Sequence, residues 1–179
     1  MSVTETATLA GGCFWCLEEP FKNLRGVQSV SSGYTGGHVD DPSYEAVCEG
    51  TTGHAEAIQV VYDPDGISYE ELLEVFFALH DPTTLNRQGP DVGSQYRSAV
   101  FYHDDEQRAA VEAYVDEIER SGEYEGIVTE IEPLETFWEA EEYHQDYYEK
   151  NPENAYCRVN IGPKMQKVRE KFGEKVAED

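Results

Sequence analysis

The chain has 179 residues, with 37 acidic against 13 basic side chains and a formal net charge of -24. That length suffices for one sizeable core and is short for two ordinary domains, so residues 1–179 read as a single unit. The charge argues against nucleic acid, whose phosphates need clustered Lys and Arg, and no run approaches the roughly 18 apolar residues of a membrane span.

From the N-terminus, MSVTETATLAGG lacks the basic and apolar regions of an export signal, so a soluble, cytoplasmic protein is expected. Within it, Thr4 to Ala10 alternates and predicts a strand running into Gly11-Gly12. Cys13 to about Leu24 reads as a helix, with Phe14, Leu17, Phe21 and Leu24 at helical spacing and Pro20 as a flaw that kinks or shortens it. Val27 to Gly33 predicts a second strand. A long glycine-punctuated stretch with little periodicity follows, up to His54, and such irregular segments are often functional. Ala55 to Tyr62 is the third strand, closed by the turn Asp63-Pro64-Asp65-Gly66. Ser68 and Glu71 form a capping box for a helix to about Leu79, with Leu72, Leu73, Phe76 and Phe77 as its face. A polar loop from Asp81 to Tyr96 leads to a strand over Ser98 to Tyr102, and Asp104 or Asp105 caps a helix to about Arg120. Ile127 to Ile131 predicts a short strand, Thr136 and Glu139 a second capping box for a helix from Glu139 to Lys150, and Lys164 to Phe172 a short peripheral helix.

Strands and helices alternate without the regularity of a doubly wound parallel sheet. The expected class is α+β: a two-layer sandwich with a mixed β-sheet, flanking helices, and long irregular loops that meet near Cys13. The acids are spread through folded segments, as in Tyr69-Glu70-Glu71 and Glu139-Ala140-Glu141-Glu142, rather than gathered in a tail. Such a surface suits a halophilic protein, because high salt shortens the range of self-repulsion; the rival reading is an acidic docking face for a basic partner. Four cysteines without an export signal point to thiol chemistry or metal rather than structural disulfides.

Cys13 stands where a glycine-rich turn meets a helix. A cysteine is a nucleophile only as thiolate, and a helix N-terminus supplies N–H groups and partial positive charge expected to lower its pKa. The rival reading is a buried structural thiol. In Gly11-Gly12-Cys13-Phe14-Trp15-Cys16 two aromatic rings flank the thiol, and aromatic faces bind methyl and thioether groups. Cys16 lies about one helical turn from Cys13, within range of a disulfide if the first turn loosens.

Together with Gly33-Tyr34-Thr35-Gly36-Gly37, Tyr44-Glu45-Ala46-Val47-Cys48, Thr51-Thr52-Gly53-His54-Ala55-Glu56, His80-Asp81-Pro82-Thr83-Thr84, the block from Gln88 to Ser98, and Tyr143-His144-Gln145-Asp146-Tyr147, this motif makes the chain resemble the A-type peptide-methionine sulfoxide reductases, which act on one sulfoxide epimer. The blocks run in order across most of the chain. The resemblance implies a ferredoxin-like fold and reduction of methionine S-sulfoxide, in proteins or free, as repair of oxidative damage. It implies that Cys13 attacks the sulfoxide sulfur while Glu56, kept protonated by burial, gives a proton to the departing oxygen. An acid flanked by Ala55 and Ala57 on an apolar strand fits that part better than it fits solvated surface. Tyr44 and Tyr96 match phenols that hydrogen-bond the same oxygen, although tyrosine commonly packs with its hydroxyl satisfied. Asp91 matches a second acid near the site, or braces its loop. Phe14 and Trp15 match the walls around the substrate's ε-methyl. His54 and His144 read as loop-bracing, and Cys48 as a structural thiol.

The Cys13 sulfenic acid so formed would be trapped as an intramolecular disulfide, either by Cys16, as in some members, or by Cys157, where many keep a resolving cysteine. The chain lacks the second distal cysteine and glycine-rich tail of several members and runs on as Arg158-Val159-Asn160-Ile161-Gly162-Pro163-Lys164, so a relay among three cysteines stays open. The resemblance implies no bound cofactor or metal. It implies thioredoxin, or dithiothreitol in vitro, as external reductant. Two other readings remain: a thioredoxin-like disulfide oxidoreductase, since a C-x-x-C follows a strand and opens a helix, and a metal module using Cys13, Cys16 and two of Cys48, Cys157 or the histidines. The first predicts disulfide exchange without Glu56, the second stoichiometric zinc.

Overall fold

A computed structural model of the chain describes residues 4–88, 91–122, 124, 126–151, 153–155, 159 and 161–172. In chain order the elements are β1 (Glu5–Ala10), α1 (Phe14–Lys22), β2 (Val27–Thr35), α2 (Tyr44–Cys48), β3 (Ala55–Tyr62), α3 (Tyr69–Leu79), β4 (Arg87–Gln88), β5 (Asp91–Val92), β6 (Ala99–Tyr102), α4 (Asp105–Arg120), β7 (Glu130–Pro133), β8 (Trp138–Glu139), α5 (Tyr147–Lys150) and α6 (Gly162–Phe172). Single 3-10 turns lie at Ser94–Tyr96 and Glu142–His144.

Six strands form one mixed sheet in the order β7-β6-β1-β3-β2-β8, with β6 and β7 parallel and the other neighbours antiparallel. The inner four make two interlocked split βαβ units, β1-α1-β2 and β3-α3-β6, each enclosing a strand of the other; this is the ferredoxin-like α+β arrangement. Register puts Ala7 opposite Val60, and Leu9 opposite both Ile58 and Val100, so these side chains share a face. That face meets Phe14, Leu17 and Phe21 of α1 and Leu72, Leu73 and Phe76 of α3 in the main core. On the reverse face Ala10, Ala55, Ala57, Ala99 and Phe101 are covered by Leu134 and Phe137. Because side chains alternate, Glu56 shares the helix-facing side of β3 with Ile58 and Val60, and its strand position carries it to the head of α1.

The capping box of α3 forms as expected, and Asp104 caps α4 by accepting the Gln107 N–H. Elsewhere tertiary contacts moved the boundaries. Helix α1 starts one residue late, with Cys13 as its N-cap, and stops at Lys22, soon after Pro20 has removed one backbone donor; Leu24 is buried outside the helix. Strand β2 continues through Tyr34 and Thr35, which pair with Glu56 and Ala55. The irregular stretch contains α2, capped by Ser43, whose hydroxyl accepts the Ala46 N–H at 3.1 Å. The strand expected over Ile127 to Ile131 lies at Glu130–Pro133 instead, because the Val128 N–H goes to Pro82 O at 2.8 Å rather than to the sheet.

The helix expected from Glu139 to Lys150 does not form. Trp138–Glu139 is drawn into the sheet as β8, the Ala140 N–H bonds Ser32 O at 2.9 Å, and the Thr136 carbonyl accepts the Thr35 hydroxyl, so the second capping box never assembles. Only α5 is helical there. Among the described residues no helix is long and apolar enough to cross a membrane.

Candidate active site

The last residue of β1 delivers the chain to Gly11-Gly12, and the conformation of that turn requires glycine. Gly12 sits at φ +96, and a Cβ there would meet the Gln88 side chain at 2.9 Å. A Cβ on Gly11 would meet the His80 ring at 2.9 Å. His80 is buried and pushed down to about 4 by that burial, so it is neutral. Its Nδ1 lies 2.6 Å from Phe76 O and therefore donates; its Nε2 lies 2.7 Å from Ser98 Oγ and accepts. His80 and Gln88 are thus a fixed bed on which the turn sets Cys13.

Cys13 and Glu56 meet at the head of α1. Glu56 is 1 % exposed; its Oε1 accepts the Phe14 N–H at 3.2 Å, and its Oε2 is buried without a hydrogen-bond partner among the described residues. Burial pushes the carboxyl up to about 8, the Phe14 N–H and the adjacent Cys13 thiol offset part of this, and the charge of Asp91 adds to it. The acid is therefore neutral at pH 7. The expectation of a lowered Cys13 pKa is overturned: the thiol is held well above its ordinary value by burial first, then by a hydrogen bond with Cys16 and the proximity of Glu56. A bond from the Trp15 N–H works the other way and is outweighed. The first free N–H of the helix, that of Phe14, goes to Glu56 and not to the sulfur. Cys13, Cys16 and Cys48 all stand as thiols.

The phenols of Tyr44 on α2 and Tyr96 on the first 3-10 turn are half-buried and pushed up by desolvation, and both lie near enough to Glu56 for its ionised form to push them further. Asp91 on β5 acts on Glu56 and Tyr96. Sequence-distant loops thus bring Tyr44, Tyr96 and Asp91 to Glu56. Cys48, expected as a structural thiol, is exposed and takes the Tyr44 hydroxyl hydrogen bond at the rim, one turn along α2.

Phe14 is fully buried against Tyr34, Tyr44 and His144, with ring centroids 5.7, 6.4 and 5.2 Å away. Trp15 lies face to face on Tyr147 at 3.7 Å, and its Nε1–H donates to His144 Nδ1 at 3.1 Å. Glu141 accepts the Tyr34 hydroxyl at 3.0 Å and the Tyr44 N–H at 3.2 Å. Sequence reasoning assigned no site role to Glu141 or Tyr147 and read His144 only as a brace; the signal for His144 and Tyr147 was the Tyr143 to Tyr147 block, obscured by the helix expected there, and Glu141 lies outside that block. His54 does brace a loop, accepting the Gly37 N–H at 3.0 Å and bonding Val39 O at 2.6 Å. Cys157 lies outside the described residues. Among those described, no three His, Cys, Asp or Glu side chains are grouped to hold a metal ion.

Residues 5–176 match the family model described as peptide methionine sulfoxide reductase. A relative from Natronomonas pharaonis named "Peptide methionine sulfoxide reductase MsrA" is 64% identical over 97% of this chain and 98% of its own. Reduced Mxr1 from Saccharomyces cerevisiae superposes with a TM-score of 0.81 at 40% identity, over 88% of this chain and 91% of that one. Mxr1 in complex with Trx2 superposes at 0.58 with 29% identity, over 79% and 84%.

Proposed function

The chain belongs to the peptide methionine sulfoxide reductase family, and on that footing we propose that it reduces methionine S-sulfoxide, in proteins or free, to methionine, with Cys13 as nucleophile. The observation that carries this reading is the Cys13 thiol set against a carboxyl that burial keeps neutral up to about pH 8. A sulfoxide oxygen departs only if protonated. Glu56 gives its proton to that oxygen, and Cys13, which begins as a thiol, passes its own proton to the emptied carboxylate as its sulfur attacks the sulfoxide sulfur. The attack forms a bond between the two sulfurs; the protonated oxygen then passes from the substrate sulfur to Cys13 as that sulfur–sulfur bond breaks, so one thiol and one sulfoxide become one sulfenic acid and one thioether, Cys13 losing the two electrons that the substrate sulfur gains.

Tyr44 and Tyr96 remain protonated and donate to the same oxygen, Tyr44 by turning from Cys48, while the charge of Asp91 helps Glu56 keep its proton. Trp15, half-buried, receives the ε-methyl, and the fully buried Phe14 ring, 6.4 Å away, backs that wall. Cys16 is the first resolving thiol on this reading, because it already hydrogen-bonds Cys13; its attack on the sulfenic sulfur releases water and leaves a disulfide. Cys157 is the second candidate. A thioredoxin-like dithiol returns the two electrons, a role supported by the Mxr1 complex with Trx2, and dithiothreitol replaces it in vitro. The reaction needs no bound cofactor. Residues 1–179 act as one catalytic domain, and the charge of -24 with likeness to the Natronomonas pharaonis protein supports work in a salt-rich cytoplasm.

The test is a single-turnover assay of the reduced protein on resolved sulfoxide epimers without added thiol. Wild type, Cys16→Ser and Cys157→Ser should each convert the S epimer once, and Cys13→Ser should convert none. Equal conversion of both epimers, or turnover by Cys13→Ser, would overturn the assignment.

A further inference from the structure

Among the described residues two acids are buried between the sheet and its helices, and the proposed reaction uses only Glu56. The other is Glu18 on α1, 1 % exposed. Its Oε2 accepts the Ser32 hydroxyl of β2 at 3.0 Å, and the Asp146 N–H also donates to it. Burial pushes it up to about 7, with the charge of Asp146 adding and Ser32 and Lys22 opposing. A titratable group held so deep is retained at a cost in desolvation. What it holds is the segment from Glu141 to Tyr147.

Other contacts reach the same place. The Gln145 amide clasps the Ser32 backbone, accepting its N–H at 2.8 Å and donating to its carbonyl at 2.8 Å. Lys22, one turn beyond Glu18, reaches Asp146 at 2.8 Å and Glu149 at 2.7 Å. Asp146 sits at φ +54, a left-handed conformation that a non-glycine residue keeps only where its surroundings enforce it. The segment fastened there carries His144, which accepts the Trp15 indole N–H, and leads into Tyr147, on which the Trp15 ring lies.

We propose that Glu18 is a positioning residue for substrate recognition: it fastens the 141–147 segment to α1 and β2, so that His144 and Tyr147 fix the Trp15 indole as a wall for the substrate methyl. This rests on the reading of Trp15 as that wall. Glu18→Leu keeps the bulk but loses both acceptors, and Glu18→Gln keeps an accepting oxygen. With dithiothreitol and free methionine S-sulfoxide, Glu18→Leu should raise KM about tenfold with kcat within about twofold, and Glu18→Gln should restore most of the loss. Ser32→Ala, a milder cut of the same link, should shift KM in the same direction and serves if the leucine variant does not fold.

A merely structural role would lower the active fraction and leave KM alone. Only two tryptophans are present, so in a Trp138→Phe background the emission reports Trp15, and it should rise in Glu18→Leu as the ring leaves Tyr147. Unchanged KM and unchanged Trp15 emission in both Glu18→Leu and Ser32→Ala would overturn the proposal. If Trp15→Ala itself leaves KM unchanged, the wall reading is what fails, whereas the emission still judges the fastening.

Discussion

At the scale of single residues, the site turns on where two protons rest before substrate arrives. Glu56 must be protonated to act, so activity should be level at neutral pH and fall as pH rises through about 8. Glu56→Gln should lower kcat by roughly 10²–10³-fold and remove that alkaline limb, measured as a pH profile of kcat/KM. The same shift bears on stability. Its folded value, about 8, exceeds the ordinary 4.5, so between those pH values the unfolded chain releases a proton that the folded one retains. The contribution is whole below 4.5 and is lost as pH rises through 8, so wild type should weaken across that window relative to Glu56→Gln, by an amount on the order of 4 kcal/mol, read from denaturant midpoints at pH 5 and 8. The identities of Cys13 and Glu56 were legible from the motifs. The protonation of Cys13 was not, because it depends on burial and on the proximity of Glu56, neither of which is local in sequence.

At the scale of elements, short-range chemistry and long-range contact compete, and the winner differs along the chain. Ser68 and Glu71 lie within one turn of the helix they cap, and the box forms as read. Ser68→Ala should therefore cost about 1 kcal/mol in thermal or denaturant unfolding and leave kcat/KM unchanged, since Ser68 caps the N-terminal end of α3 while the turn before Cys13 meets the opposite end, at Phe76 and His80. Gly12→Ala should do the opposite. At φ +96 and against Gln88 it strains the turn that sets Cys13, so kcat should fall about tenfold or more along with about 1–2 kcal/mol of stability. Thr136 and Glu139 carry the same capping signature as Ser68 and Glu71, yet sheet pairing of Trp138 with Tyr34 overrides it.

At the scale of the whole molecule, the formal charge of -24 acts on every element at once. Among the described residues ion pairs are few beside the surplus of acids, and most engage exposed groups of modest worth, such as Arg108 with Glu112 and Arg120 with Asp116. Self-repulsion should therefore limit stability in dilute buffer. Raising potassium chloride from about 0.1 M to about 1 M shortens the screening length from roughly 10 to 3 Å and should raise Tm by several degrees, checked by circular dichroism. A flat or falling Tm would count against a salt-adapted surface and favour an acidic docking face.

From sequence alone came the class of fold, because strand alternation, capping and a glycine turn act over a few residues, and the motif blocks, running in order, singled out Cys13, Glu56, Phe14 and Trp15 as candidates. Only the folded chain decided that Cys13 rests as a thiol, that Cys48 is exposed at the rim, and that the segment after Thr136 abandons its helix to clamp Trp15. Those outcomes depend on desolvation and on hydrogen bonds between residues about a hundred positions apart, such as Ser32 with Gln145 and Trp15 with His144. Burial and distant partners are properties of the packed molecule, and local pattern carries no measure of them.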